Sequence, residues 1–375
     1  MAHLLTTLAH AAFDPDEETG ALVPPIHLAT TYERDPDGSY PKGYMYSRDG
    51  NPTRRLLENA LAKFEGGVSC RAFSSGMAAS NAVLQSIPTG SHVVVPNDVY
   101  HGVRRLIAEQ FQGRGIEASA VDMTSLDEIE SAIQPHTRMI WAETPSNPLL
   151  QITDLPGVGQ IATKNNLLFV VDGTWTTPLL QRPFEFGADM VVHSLTKYLG
   201  GHSDTLGGAV VTREESETFQ RLSEYQKQSG AVLDPFSSWL TLRGIRTLGV
   251  RLSHQCSSAQ QVAEFLESRS EVRAVFYPGL SSHPGHQIAA KQMENFGAML
   301  SFEAVGGKDQ AMAIAAAVHV FRRATSLGGT ESLIEHRSSV EGPETKTSPS
   351  LLRLSIGLEH PQDLIDDLEQ ALTKS

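Results

Sequence analysis

A lysine stands directly after an apolar run in DMVVHSLTKYLGGHSD (189–204), with Lys197 leading into a glycine-rich turn. A lysine placed there sits at the carboxyl edge of a buried strand, where open α/β folds bind ligands. Partly desolvated, its amine loses a proton readily and can form a Schiff base with a carbonyl compound. Ser194 and Thr196 flank it with hydroxyls suited to phosphate oxygens. A lone Ser-x-Thr-Lys would more often be an ordinary surface segment, so the case rests on what accompanies it.

Four further segments supply partners. Asp172 ends the apolar run LLFVVD (167–172). A carboxylate at that position either caps a helix or pairs with a pyridinium nitrogen and keeps it protonated. FSSGMAAS (73–80) puts Ser75, Gly76 and Met77 at a helix N-terminus. Free backbone amides and the helix dipole favour a phosphate there, although many helices begin with Ser-Gly. ETPSNP (143–148) offers Asn147 as a donor to a ring hydroxyl, and VPNDVYHG (95–102) offers Tyr100. Tyr100 is either a stacking surface for a planar ligand or an ordinary packed tyrosine.

The elements that must position these groups follow from periodicity. Asn51 and Pro52 form a helix start, Leu56, Leu57, Ala60, Leu61 and Phe64 recur at helical spacing, and Gly66–Gly67 ends it. HVVVP (92–96), MIWAE (139–143), LLFVVD and DMVVHS (189–194) are expected as buried strands. MAASNAVLQSI (77–87) and LPGVGQIATKNN (155–166) are expected as helices between them. That alternation implies a parallel sheet covered on both faces. After about residue 240 the pattern changes to a smaller α+β unit. It holds a long helix over 251–269, strands over 296–305 and 351–359, and a closing helix from Pro361. Residues 1–47 look irregular, and are either a disordered tail or an arm on a neighbouring subunit.

The chain has 375 residues, which suggests two or three domains at about 150 residues each. Its 40% apolar and 19% charged composition is that of a globular protein. A net charge of −13 argues against nucleic acid or an anionic membrane as the main partner. The two cysteines, Cys70 and Cys256, have neither CxxC nor metal-ligand spacing, so reduced thiols in the cytoplasm are expected, with no disulfide and no metal. The N-terminus lacks the basic start of a signal peptide, and no apolar run reaches the ~20 residues of a membrane span.

Taken together, YSRDGNPT (46–53), SSGMAA (74–79), ETPSNP, DGTWTTP, HSLTKYLGGHSD, TSLGGTESLIEH (325–336) and LRLSIGLE resemble the Cys/Met-metabolism family of pyridoxal-phosphate enzymes. The resemblance runs from about residue 24 to the C-terminus. It implies an aspartate-aminotransferase-like α/β fold (fold type I): an arm over 1–47, a large doubly wound cofactor domain over 48–241, and a smaller α+β C-terminal domain over 242–375. It implies that Lys197 carries pyridoxal 5'-phosphate as a Schiff base and shuttles protons, that Asp172 pairs with the pyridine nitrogen, and that Tyr100 stacks on the ring. Gly76, Met77, Ser194 and Thr196, with Ser75, hold the phosphate. Tyr46 and Arg48 reach the same phosphate across a subunit interface, which implies a homo-oligomer, expected as a tetramer of site-sharing dimers. Asn147, Thr325, Ser326 and Arg353 line the substrate, with Arg353 suited to grip a carboxylate by two parallel hydrogen bonds. As an isolated motif, Arg353 would equally suit a surface ion pair.

Several positions depart from the family pattern. Gly173 stands for a common Asn, Trp175 for a frequent Phe, and His101-Gly102-Val103 for the usual Gly-x-Thr after the tyrosine. Methionine γ-lyases usually carry Cys at the position of Gly102. Thr325 replaces the Glu that often precedes the serine of Ser-Leu-Gly-Gly in cystathionine enzymes, leaving Glu331 or Glu335 as other candidates to hold an ammonium group. The expected activity is γ-replacement or γ-elimination on a homoserine-derived amino acid, in the manner of cystathionine γ-synthase. Cystathionine γ-lyase, methionine γ-lyase and O-acetylhomoserine sulfhydrylase are the alternatives. A non-catalytic binding protein on the same fold is disfavoured by the retention of Lys197, Asp172 and Arg353.

Overall fold

The structure is a computed structural model that describes residues 3–11, 16, 18–341 and 347–374. Asn51 caps the helix Pro52–Glu65: its Oδ1 accepts from the backbone of Thr53 at 2.9 Å and Arg54 at 3.2 Å. Gly66 ends that helix with φ of 78°, a left-handed turn that glycine adopts without Cβ strain. The same Asn51 donates to the carbonyl of His27 at 2.8 Å and so ties the N-terminal segment to the helix start.

The large sheet has seven strands: β1 (Ser69–Phe73), β2 (Ser91–Pro96), β3 (Ile116–Val121), β4 (Thr137–Glu143), β5 (Leu168–Asp172), β6 (Met190–Ser194) and β7 (Gly208–Thr212). Their order is β1-β7-β6-β5-β4-β2-β3. The run β6-β5-β4-β2-β3 is parallel, while β7 is antiparallel to both β6 and β1. The apolar strands form because helices cover both faces: one core contains Val93, Trp141, Val170 and Val192, and another contains Val94, Ile140, Phe169 and Val171.

The second sheet has five strands: β8 (Val272–Phe276), β9 (Met299–Ala304), β10 (Arg322–Arg323), β11 (Leu333–His336) and β12 (Leu351–Ser355). Their order is β10-β11-β12-β9-β8. The helices Leu248–Glu267 and Pro361–Lys374 pack on it, with Leu252, Ala259, Val262, Leu364 and Leu368 in a shared core.

Two expectations need correction, and further elements go beyond those expected. The N-terminal segment is not wholly irregular: Leu4–Ala9 is a helix whose Leu8 is buried in the main core. The last strand stops at Ser355 rather than continuing to 359, because the backbone turns to let Leu358 donate to the carbonyl of Thr330 at 2.7 Å. A Cβ on Gly357 would lie 2.4 Å from that same oxygen, so only glycine fits the turn. β1, β3, β7 and the helices Glu217–Ser229 and Pro235–Ile245 were not anticipated from periodicity.

Asn51 supports both the helix cap and the N-terminal segment. Asn51→Ala should lower unfolding stability by about 1–2 kcal/mol, the usual cost of a lost N-cap. Urea titration measures it; a change below a few tenths would show that the cap and the His27 contact carry no net stability.

Candidate active site

The carboxyl ends of the parallel strands open into a cavity between the two sheets. At one end lies the start of the helix Gly76–Gln85. Ser75 caps it, its Oγ accepting from Ala78 N at 3.0 Å. The approach is close: a Cβ on Gly76 would lie 2.9 Å from the Ser194 Cβ and 3.1 Å from its Oγ. Ser194 and Thr196 line the same end, with Met77 beside them. Thr196 also bridges its own loop, its Oγ1 accepting from Gly207 N at 3.1 Å.

Asp172 closes β5 and lines the cavity floor. Its Oδ1 accepts from Thr174 N at 3.0 Å, so it caps a local turn as well as facing the cavity. Burial pushes its carboxyl up; the bonds from Thr174 and the nearby His193 oppose that. Tyr100 lines the cavity wall, and burial raises its hydroxyl while Arg337 pulls it back.

Lys197 lies between these groups and the second sheet. Its Nζ donates to Ser326 Oγ at 3.0 Å. Burial first, then the cations Arg353 and Arg337, lower the amine from 10.5 to about 8, with Glu335 opposing. About a tenth of the amine is therefore neutral at pH 7, against well under a thousandth for an ordinary lysine, which favours nucleophilic and proton-transfer chemistry. Ser326 is held in a left-handed conformation, φ 106°, unusual for a non-glycine residue.

Arg353 is not a surface arginine. It is 4% exposed in the middle of β12, donating to Asn147 Oδ1 at 2.9 Å and to the carbonyl of Ser326 at 3.1 Å. Its Nη2 also pairs with Glu335 at 2.7 Å, and Glu335 meets Arg337 at 2.6 Å. Burial would raise the Glu335 carboxyl, but Arg353 and Arg337 outweigh it and hold it below its ordinary value. Glu335 is thus committed to two arginines and to the Thr325 hydroxyl, and Glu331 hydrogen-bonds Ser203 and Thr330. Neither lines the cavity, whereas Thr325 does.

The structure brings together every expected site residue except Tyr46 and Arg48, which lie outside this cavity with the Arg48 guanidinium 5.1 Å from the Tyr46 ring centre. Residues not selected from sequence also line it: Glu143, His101, Trp175 and Arg337. Glu143 carried a legible signal, an acid ending a buried strand. Arg337 carried none: it opens the short helix Arg337–Glu341, which is brought to the cavity only by tertiary packing. No cluster of metal-ligating side chains occurs among the described residues, and both cysteines are free and buried.

A model of the Cys/Met metabolism PLP-dependent enzymes matches residues 5–373. The chain belongs to that family. It is 45% identical over 373 residues to cystathionine γ-synthase of Mycobacterium tuberculosis, covering 98% of this chain and 96% of that one. It is 43% identical to cystathionine γ-lyase of Bacillus subtilis, covering 98% of each. Among solved structures, cystathionine γ-synthase from Xanthomonas oryzae pv. oryzae in complex with aminoacrylate and cysteine superposes with a TM-score of 0.96 at 41% identity, over 100% of this chain and 98% of that one. Cystathionine γ-lyase from Lactobacillus plantarum, complexed with L-serine, gives a TM-score of 0.95 at 38% identity, over 99% of both. The fold is that of these PLP-dependent enzymes, and the cofactor of the family is pyridoxal phosphate.

The donor set fits that cofactor. A helix start with adjacent hydroxyls suits its phosphate, a buried carboxylate suits its ring nitrogen, and a depressed lysine amine suits its aldehyde. In cofactor-free protein, acylation of Lys197 followed by peptide mapping should reach half its maximal rate near pH 8. Arg353→Leu should move that midpoint upward, because it removes a nearby cation and leaves the Glu335 charge less fully compensated. A wild-type midpoint near the ordinary lysine value would contradict this picture of the cavity.

Proposed function

We propose that the chain catalyses γ-replacement on an activated homoserine, joining it to cysteine or a related thiol in the manner of cystathionine γ-synthase. The observation that carries this reading is the Lys197 amine of lowered basicity, held between a phosphate-type pocket and the buried Arg353. The named relatives support it.

Pyridoxal phosphate, when bound, supplies an aldehyde that takes up the substrate amine and a ring that accepts electrons released at Cα. In this reading the chain's own residues do the rest. Ser75, Gly76, Met77, Ser194 and Thr196 hold the phosphate, and Asp172 stands against the ring nitrogen. Arg353 grips the substrate α-carboxylate and Asn147 orients it, with Ser326 steadying the loop. The Lys197 amine, held beside Ser326, would remove the Cα proton and then a Cβ proton. The γ-substituent departs with its bonding electrons. The incoming thiol adds at Cγ, and Lys197 returns protons to the carbon skeleton. Tyr100, packed beside this path, assists by lying against the ring. Elimination competes when no thiol arrives, giving an oxoacid and ammonia.

This reading includes a cofactor domain over 48–241, a C-terminal domain over 242–375 and an arm over 1–47. It places the protein in the cytoplasm, which the reduced cysteines favour. No helix among the described residues is long and apolar enough to cross a membrane. It also includes a homotetramer in which Tyr46 and Arg48 complete a neighbour's phosphate site. Support comes from their position outside their own cavity and from the exposed apolar side chains of that segment, Leu28 at 73% and Met45 at 47%.

The activity is tested by mass spectrometry of products from O-acetyl-, O-succinyl- and O-phosphohomoserine, cystathionine and methionine, each with and without cysteine. Cystathionine formed from an activated homoserine supports the reading; turnover of cystathionine or methionine alone replaces it with a lyase. Because Thr325 presents a neutral hydroxyl, an acceptor's amino group should matter little. Thr325→Glu should raise kcat/KM for cysteine relative to a thiol lacking that amine by tenfold or more, matching ~1.5–3 kcal/mol for a charged hydrogen bond. An unchanged ratio removes Thr325 from acceptor choice.

Assembly has its own test. Arg48→Ala and Lys197→Ala are each expected to be inactive, and mixing them should restore activity through dimers with one intact site. Absence of recovery after proven subunit exchange counts against shared sites.

A further inference from the structure

Two acids meet at the floor of the cavity. Glu143 ends β4 and Asp172 ends β5, and the parallel register pairs the two residues directly. Register partners on adjacent parallel strands lie ~5 Å apart and point to the same face. Both side chains line the cavity, and Glu143 is 5% exposed. Two buried carboxylates this close do not both stay ionised, since like charge and desolvation act together.

Their surroundings differ. Asp172 Oδ1 accepts from Thr174 N at 3.0 Å, the Thr174 hydroxyl adds a second bond, and His193 lies near it. His193 belongs to the opposite face of the sheet: a Cβ on Gly173 would sit 2.9 Å from its Cε1, and its Nε2 meets buried Glu65. Glu143 receives one bond, from Tyr100 N to Oε2 at 2.9 Å. The charged groups acting on Glu143 are Asp172 on β5, Asp98 after β2 and Arg337 after β11; two of the three are acids. Burial, then Asp172, push its carboxyl well above the usual range.

We propose that Glu143 carries the proton of a two-carboxyl unit with Asp172 and is a positioning residue for it: Glu143 stays neutral, so Asp172 remains the ionised partner of the ring. The proton sits on Oε1, because Oε2 is occupied as acceptor for Tyr100 N–H. Glu143 thereby links the backbone that carries Tyr100 to the charge state of Asp172. This rests on the reading that Asp172 faces the ring nitrogen of bound cofactor.

The test uses holoenzyme. Infrared difference spectra at neutral pH, wild type minus Glu143→Gln, should show the carbonyl stretch of a protonated carboxylic acid. A difference containing only carboxylate bands overturns the assignment. Absorbance titration of the bound pyridoxal phosphate should keep its midpoint in Glu143→Gln, because the amide replaces a neutral acid with a neutral group of the same shape. A midpoint displaced to lower pH would mean that an anion had been removed, and would also overturn it. Failure of Glu143→Gln to fold or bind cofactor counts against the proposal for the same reason. Wild-type protein that binds no pyridoxal phosphate would instead sink the functional reading, and the two failures are thus told apart.

Discussion

Parallel pairing in a single register holds the site together. Glu143 pairs with Asp172, and Asp172 pairs with Val192, two residues before Ser194 and five before Lys197. The interiors of β5 and β6 are fully buried, so the register is fixed by packing on both faces: a slip by one residue would turn Asp172 into the opposite core. Every cavity-facing group on this edge inherits its position from that constraint. The same constraint forces two acids together, and their charge has to be resolved locally.

The second sheet closes the site from the other side. Arg353 in β12 reaches across to Asn147 after β4 and to the backbone of Ser326, while sharing Glu335 with Arg337. A cation this buried is tolerable only when its donors are met; removing one partner of such a pair typically costs roughly 3–5 kcal/mol. The cluster therefore locks the two sheets in one relative arrangement, and its positive field reaches Lys197. The positive charge at this end of the cavity and depression of the lysine amine are two results of one placement.

Behind Lys197 the chain is clamped by another buried arginine. Arg251 donates to the carbonyls of Tyr198 at 3.0 Å and Gly244 at 2.8 Å. A Cβ on Gly201 would sit 2.1 Å from its Nη1, so the glycine-rich turn after the lysine is shaped to admit a guanidinium. The lysine is thus fixed from its own loop as well as from Ser326, which limits the directions in which its amine can point.

The sequence by itself determined the alternating strands and helices, the Asn51-Pro52 helix start, and the residues at strand ends. These are local signals: apolar periodicity, capping chemistry and turn glycines act over a few positions. It also carried the motifs that identify the family, and with them the placing of Lys197, Asp172, Ser194 and Arg353. The tertiary structure alone decided that Arg353 is buried rather than superficial, that Glu335 is consumed by two arginines, and that Arg337 and His101 border the cavity. It alone decided that Leu4–Ala9 is helical, since a six-residue helix is held by its packing rather than by propensity. Glu143 shows the division most clearly. Its strand was legible, but its pairing with Asp172 depends on which strands become neighbours, and adjacency in a sheet is set by long-range packing that no short stretch of sequence encodes.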